Sequence, residues 1–149
     1  MKLPTLTDEE LKPFLEDGLW VAKLATHNLD GTLRITPMEY ATDDGCVIFS
    51  TWKDSAAVRN ISRDGDASVL IDRSDRPFAG VHYTGRAEVM SDDVAAEQYG
   101  EWFKRYIGDY TQTVESYKFL VSLGIGERAF IRFRPDRTIT WDMSKIPGA

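Results

Sequence analysis

Short runs of hydrophobic residues, separated by turn-forming residues, predict that most of this chain folds as β-strands. The clearest run is 128–134, where three apolar residues alternate with arginines, so that Arg128, Arg132 and Arg134 share one face. Tight turns are predicted at Asn28–Gly31 and Asp43–Gly45. The predicted strands are 19–27, 32–42, 46–52, 67–71, 81–90, 128–134 and 138–143. Strands linked in this way favour an antiparallel barrel over repeated strand–helix–strand units.

Helical spacing appears in three places between the predicted strands. Thr7 and Glu10 have the spacing of a capping box, and Gly18 ends the first helix, which Pro13 should kink or limit to a couple of turns. A second helix should open at Asp54 or Ser55. Apolar residues near helical spacing then predict a helical insert at about 91–124.

Composition narrows the class of protein. The 149 residues fit one domain, 1–149, and a net charge of −6 argues against nucleic-acid or anionic-membrane partners. One cysteine excludes an internal disulfide, and two histidines beside it are too few for a zinc cluster, so we predict no metal site. The sequence shows neither a transmembrane run nor a secretory leader, and we expect a cytoplasmic protein.

The segment from Ser50 to Arg59 is a candidate anion site. A helix start offers unpaired backbone N–H groups and the positive end of a dipole, both of which suit a phosphate. Ser50, Thr51 and Ser55 would add hydroxyl donors and Arg59 a cationic fork. The alternative interpretation is an ordinary capped surface helix whose polar residues are solvated.

Pro37 is a second candidate feature, because it falls inside a predicted strand. Proline in a strand normally marks an edge or a bulge, which leaves backbone polar groups free to meet a ligand. A plain edge strand explains the same pattern. The sequence holds no nucleotide-binding fingerprint, Walker loop or nucleophile elbow, so no catalytic side chain is predicted.

Several short motifs together resemble the pyridoxamine 5′-phosphate oxidase-like superfamily of flavin-binding split barrels, which includes the deazaflavin-dependent reductases. Their order and spacing over about residues 10–90 carry the resemblance, and the ending at 131–135 and 140–142 extends it to most of the chain. The motifs are Leu24-Ala25-Thr26, Asp30-Gly31-Thr32, Thr36-Pro37-Met38, Phe49-Ser50-Thr51, Ser55 to Ile61, and Gly85 to Val89.

The resemblance implies a mainly β fold with peripheral helices, a six- to seven-stranded antiparallel split barrel, working as a homodimer with two cofactor sites at the subunit interface. It implies FMN as cofactor, with deazaflavin F-420 as an alternative and heme less favoured, and a small-molecule substrate. The strand Thr36–Met38 would lie along the flavin ring, and Trp141 would approach from the other subunit. The cofactor-binding residues that it implies are Thr36, Pro37, Met38, Ser50, Thr51, Trp52, Ser55, Ala57, Val58, Arg59 and Trp141.

Ala57 departs from the family pattern, in which many members carry Lys or Arg. Losing a charge-assisted contact with phosphate costs about 1.5–3 kcal/mol. Either Arg59 or Lys53 compensates, or the site binds its cofactor weakly, takes another cofactor, or is empty.

The family's longer carboxyl-terminal substrate region has no match in this sequence, which argues against true pyridoxamine phosphate oxidase activity. Three hypotheses follow. They are a flavin- or deazaflavin-dependent oxidoreductase, a non-catalytic flavin or heme binding, storage or sensing protein, and a purely structural dimer.

Overall fold

The first element of the fold is a capped helix at the amino end. The computed structural model describes residues 2–90, 98, 102, 105 and 128–148. Helix α1 spans Asp8–Asp17 and runs through Pro13 for ten residues. The predicted capping box is confirmed. The Glu10 N–H donates to the Thr7 hydroxyl at 3.2 Å, and the Glu10 carboxylate accepts from the Thr7 N–H at 2.8 Å.

The described part of the chain forms one antiparallel sheet of seven strands in the order β2-β1-β5-β6-β7-β4-β3. The strands are β1 Ala22–His27, β2 Leu33–Met38, β3 Tyr40–Asp43, β4 Cys46–Trp52, β5 Asp66–Arg73, β6 Ala79–Val89 and β7 Arg128–Asp142. Helix α2, Ala56–Arg63, connects β4 to β5, and a 3-10 turn, Met143–Lys145, follows β7. The prediction of a mainly β, antiparallel fold is confirmed.

The predicted single strand 32–42 is wrong. It breaks at Glu39 into β2, which pairs with β1, and β3, which pairs with β4. These two strands lie at opposite edges of the sheet, although only one residue separates them in sequence. The sheet must therefore curl until its two edges meet beside Glu39.

The two predicted strands at the carboxyl end are also wrong, because 128–142 is one continuous strand. Pro135 does not begin a turn but lies opposite Gly85, where the β6–β7 register shifts. A Cβ atom on Gly85 would come within 2.1 Å of the Arg134 carbonyl oxygen. The missing side chain thus makes room for a bulge, which is where a strand tolerates proline.

The main core lies inside the curl. Its largest fully buried side chains include Leu24, Tyr40, Phe49, Val69, Ile71, Val81, Ile131 and Phe133. Helix α1 is fixed to this core by the Tyr40 hydroxyl, which donates to the Leu15 carbonyl at 2.5 Å. Helix α2 contributes Ala57 and Ile61 to the same cluster.

The predicted helical insert at about 91–124 lies outside the described residues, apart from Gln98, Trp102 and Arg105. Trp102 packs against a second, smaller buried cluster formed by Ala41, Cys46, Ile48 and Phe130. Among the helices that the structure describes, none has the length and apolar character needed to cross a membrane.

Asn60 anchors helix α2 to the end of strand β1. Its side-chain NH2 group is buried and donates to the Thr26 hydroxyl and to the side-chain oxygen of Asn28, each at 3.0 Å. The side-chain oxygen of Asn60 accepts from Arg63 at 2.9 Å, and Arg63 also donates to the backbone carbonyl of His27. The residue thereby sets the position of the whole helix relative to the sheet.

We predict that Asn60→Ala lowers the free energy of unfolding by about 2–3 kcal/mol, because it leaves the buried Thr26 hydroxyl without this donor. Urea unfolding measures the change. Ser62→Ala, an exposed position on the same helix, is the matched control and should change stability by less than about 0.5 kcal/mol. Equal effects of the two substitutions would contradict the anchoring role.

Candidate functional site

The place where the sheet closes brings together two segments that the sequence singled out. Beyond Glu39, strand β2 contacts strand β4 directly. Tyr40 pairs with Phe49, so the same register continued by two residues sets Met38 beside Thr51. We call this region the seam, defined by Thr36–Met38, Ser50–Trp52 and the start of α2. Residues far apart in the sequence thus share one surface.

The start of helix α2 has the local geometry expected of an anion site. Ser55 is the N-cap, and its hydroxyl accepts from the Val58 N–H at 3.3 Å. A turn leads into it, with the Ser55 N–H donating to the Trp52 carbonyl at 2.9 Å. The first turn of the helix contains no acidic residue. Its dipole is therefore not compensated from within the helix, which suits a bound anion.

Arg59 lies over this helix start. Its guanidinium is exposed and donates to the backbone carbonyl of Asp54, just before the N-cap. That contact keeps a positive charge next to the unpaired N–H groups of the first turn. The remaining guanidinium donors can reach an anion there without refolding of the chain.

Arg128 supplies a second cation that the sequence reasoning missed. It lies opposite Trp52 in the β4–β7 register, and its guanidinium stacks over the Trp52 ring at 4.5 Å from the centroid. Two of its nitrogens donate to the Ser50 hydroxyl, at 3.0 Å from Nε and 2.8 Å from Nη2. The stacking and the paired donors fix this charge at the end of β4.

The arginine alternation in 128–134 was the available sequence signal for this residue. It showed correctly that Arg128 faces away from the apolar residues of its strand. It gave no partner, because the partner depends on the register between β7 and β4. That register brings Arg128 beside Ser50, and two hydrogen bonds join its guanidinium to the Ser50 hydroxyl.

Three of the predicted site residues are buried and contribute mainly to packing. Met38 and Ala57 belong to the main core, and Thr51 is also buried. Ala57 is only 3% exposed, so its side chain faces the core and only its backbone lies at the helix start. Val58 is half-buried and packs against the same core.

Thr36 and Pro37 present different groups at the edge of the sheet. The Thr36 hydroxyl oxygen is buried and has no hydrogen-bond partner in the described part of the chain. Leaving such an atom unpaired costs about 1–3 kcal/mol. Pro37 is exposed and has no N–H to pair with another strand. This edge is therefore poorly suited to pairing with a further strand at Pro37.

Trp141 does not reach the seam within one chain. It lies on β7 opposite Gly80 of β6, and a Cβ atom on Gly80 would come within 2.5 Å of the indole ring. Thirteen residues of strand separate it from Arg128, a path of roughly 40 Å. Only a second copy of the chain could bring Trp141 close to the other predicted residues.

Glu39 adds a negative charge at the seam. The side chain remains accessible, yet partial burial raises the pKa of its carboxyl, and the charge of Arg128 acts in the opposite direction. Protonation of Glu39 would leave the positive charge of Arg128 less neutralised. An anion at this place is therefore favoured when Glu39 is neutral.

The sequence matches the profile of the pyridoxamine 5′-phosphate oxidase family over residues 7–142. The chain belongs to this family. The match includes every segment of the seam and also Trp141. No curated protein matches the sequence significantly.

Solved structures agree with this assignment at the level of the fold. The conserved hypothetical protein Rv2991 from Mycobacterium tuberculosis is 28% identical, with a TM-score of 0.77 over 98% of this chain and 91% of that one. An F-420 reductase is 21% identical, with a TM-score of 0.65 over 85% and 94%. An FAD-binding protein from Mesorhizobium loti is 18% identical, with a TM-score of 0.62 over 94% and 96%.

We predict that Glu39→Gln stabilises the protein more at neutral than at acidic pH. A carboxyl whose pKa is higher in the folded than in the unfolded state binds protons more tightly when folded, so its contribution to stability falls as pH rises. The gain in unfolding free energy over the natural chain should therefore grow from about pH 4 to about pH 7.

Urea unfolding across this pH range tests the prediction. Asp75→Asn, at an exposed loop position away from the seam, is the control. A gain from Glu39→Gln that shrinks with rising pH would show that the sign is wrong.

Proposed function

We propose that this chain binds FMN, or alternatively deazaflavin F-420, at the seam and acts as an oxidoreductase that passes hydride to a small molecule. The observation that carries the proposal is the juxtaposition produced by closure at Glu39. It sets the strand edge Thr36–Met38 beside the end of β4, from which the chain runs through a short turn into the start of α2. A flat ring with a phosphate tail needs these two surfaces together.

The phosphate would bind at the end made by Ser55, Arg59 and Arg128. Arg128 is held by Ser50 and Trp52, so its charge is already positioned before a ligand arrives. That reduces the entropy lost on binding. Ala57 takes the place of a cation that many family members carry on the helix. Arg128, on the neighbouring strand β7, would supply the missing positive charge.

The ring would lie along the open edge at Thr36–Met38. Strand β2 is at the edge of the sheet, so its outward backbone N–H and C=O groups would meet hydrogen-bonding atoms on the rim of the ring. Pro37 is exposed and has no backbone N–H, so the ring could lie flat against the strand at this residue. These features support a planar heterocycle at this edge, with hydrogen-bonding atoms on its rim.

When bound, a flavin or deazaflavin would supply the hydride chemistry. The chain's own residues would orient and shield it. Arg59, Arg128 and the helix start would hold the phosphate, and the edge of β2 would fix the ring plane. No side chain has to act as acid or base in this arrangement, and substrate choice would depend on what packs over the ring.

The similarity to an F-420 reductase and to an FAD-binding protein supports this proposal, since both share the fold. At 21% and 18% identity they do not decide between the cofactors. The absorbance spectrum of the protein as purified distinguishes a flavin band, a deazaflavin band and the Soret band of heme.

We predict that the protein binds FMN with micromolar or better affinity and that Arg128→Gln weakens this binding about ten- to a hundredfold. The loss corresponds to a charge-assisted hydrogen bond of about 1.5–3 kcal/mol. Arg59→Ala should also weaken FMN binding. Riboflavin, which lacks the phosphate, should bind the natural chain and Arg128→Gln with nearly equal affinity. Flavin fluorescence titration measures all of these constants.

Lys12→Gln is the control for these variants. It removes one exposed positive charge from helix α1, away from the seam and from the outer face of the sheet, and should leave FMN affinity unchanged. Natural protein that alters neither flavin nor deazaflavin signals would refute the proposed function. Equal weakening of FMN and riboflavin by Arg128→Gln would place Arg128 at the ring or in the fold, away from the phosphate.

A non-catalytic role in binding or storage is the second candidate, and the burial of Ala57 favours it. That side chain faces the core, so a cation cannot be expected from this position of the helix. Turnover separates the two functions. Reduced, cofactor-loaded protein that passes hydride to no acceptor in a broad panel would support storage or sensing, whereas any saturable acceptor would support the oxidoreductase.

We further propose that the functional unit is a homodimer formed through the outer face of the sheet. The outer face is the set of side chains turned away from the core on the strands β2, β1, β5, β6 and β7. Its apolar members include Ile35, Leu70, Ile139 and Trp141. Ile35 is 68% exposed and Ile139 is 45% exposed. Apolar surface of this kind marks an interface.

We predict that the natural chain elutes as a dimer of about twice 16.9 kDa and that Ile35→Glu or Ile139→Glu converts it to monomer. A buried carboxylate without a partner would strongly weaken an apolar interface. Size-exclusion chromatography with light scattering measures the mass. Leu29→Glu, at a turn position 82% exposed, is the control and should remain dimeric. A monomeric natural chain, or dimeric Ile35→Glu and Ile139→Glu variants, would refute this interface.

A further inference from the structure

An ion pair lies on the outer face of the sheet, next to the strand edge at which the ring is proposed to bind. Lys23, on β1, lies opposite Pro37 of β2 on one side and opposite Leu70 of β5 on the other. Its ammonium group donates to the carboxylate of Asp72, the diagonal neighbour of Lys23 on β5. The charged pair is therefore set between two apolar residues, one of which belongs to the seam.

The pair is partly shielded from water. The side chain of Lys23 is 33% exposed and that of Asp72 is 27% exposed. Charges in such positions are screened less by salt than fully exposed charges, so they act more strongly on a neighbouring group. Removing two charges from water also costs free energy that their mutual attraction only partly recovers, which makes such a pair weak evidence for stability. Its position beside Pro37 is therefore more informative than its contribution to folding.

The two charges lie at unequal distances from the edge of β2. Residues opposite each other on neighbouring strands have Cβ atoms roughly 5 Å apart, so Lys23 begins one strand away from Pro37. Asp72 begins two strands away, at roughly 10 Å. Asp72 also lies beside Trp141, because Gly80 is opposite Asp72 and its missing side chain leaves room for the indole ring. The positive end of the pair therefore faces β2, and the negative end faces away from it.

We propose that Lys23 tunes the redox state of a flavin bound at the seam, by favouring the reduced ring over the oxidised ring. This inference rests on the proposed function. Uptake of a hydride from a donor, which brings two electrons and one proton, converts the neutral oxidised ring into an anionic reduced ring. A cation beside the ring attracts the anion more strongly than the neutral form. Asp72 would hold the ammonium group in place and would partly offset its charge.

Lys23 would act differently from the cations proposed for the phosphate. The phosphate carries the same charge in both redox states, so Arg59 and Arg128 would bind the two states with similar strength. The charge of the ring changes on reduction, and a cation beside the ring therefore acts unequally on the two states. A binding interaction shifts an equilibrium only by its difference between the two states. The signature of Lys23 is thus a ratio of two affinities and not the size of either one.

Calorimetry of the whole chain with oxidised FMN, and with FMN reduced by dithionite in the absence of oxygen, measures this ratio. In Lys23→Gln we expect the preference for reduced FMN to fall about tenfold relative to the natural chain. For a two-electron couple, this corresponds to a midpoint potential of bound FMN about 30 mV more negative. Asp72→Asn leaves the ammonium group unopposed and should change the ratio in the other direction. Lys23→Arg keeps the charge and should keep the ratio within about twofold of the natural value.

Lys12→Gln, which removes a positive charge from helix α1, is the control and should leave the ratio unchanged. If Lys23→Gln and Asp72→Asn still bind FMN but keep the natural ratio, or shift it in the same direction, this inference is wrong and the proposed function stands. A natural chain that binds neither form of FMN would refute the proposed function, and this inference with it. Light scattering on the same samples gives the mass, and a ratio that changes only in samples whose mass changes would assign the pair to subunit contact and overturn the inference.

Discussion

The single residue between β2 and β3 is the constraint on which this fold and its site depend. A flat sheet of seven strands would hold its two edge strands roughly 29 Å apart, at about 4.8 Å for each neighbouring pair. The two peptide links from Met38 through Glu39 to Tyr40 span at most about 7.6 Å. The sheet therefore has to close at this point. Closure sets the edge of β2 against β4, whose end leads through a short turn into α2.

The charges at the seam explain how an acidic protein could hold a phosphate. The chain carries a net charge of −6, which disfavours anions at long range. Salt screens that field within about 8 Å, so the nearby groups decide. Arg128 is fixed there by Ser50 and Trp52, and Arg59 lies at a helix start without acidic residues in its first turn. Because the Ala57 side chain faces the core, the fold supplies a second cation from the neighbouring strand in addition to Arg59 on the helix.

Local interactions account for what the sequence predicted well. The Thr7–Glu10 capping box and the Ser55 cap depend on residues three positions apart, and both are present. The break at Glu39 and the continuity of β7 depend on distant contacts. Tyr40 is held by the Leu15 carbonyl, and Pro135 is accommodated because Gly85 opposes it. The role of Arg128 could not be predicted for the same reason. The alternation of arginines and apolar residues shows which face of β7 it occupies, but only the β4–β7 register shows that Trp52 lies opposite it.

The length of β7 bears on the proposed role of Trp141 as a residue of the cofactor site. Arg128 begins this strand at the seam, whereas Trp141 lies near its other end on the outer face. Roughly 40 Å of strand separates them, too far for both to contact one flavin within a single chain. In the proposed dimer, a two-fold axis through the outer face would bring Trp141 of one chain towards the seam of the other. Each β7 strand would then serve two cofactor sites, with its first residue at one and Trp141 facing the other.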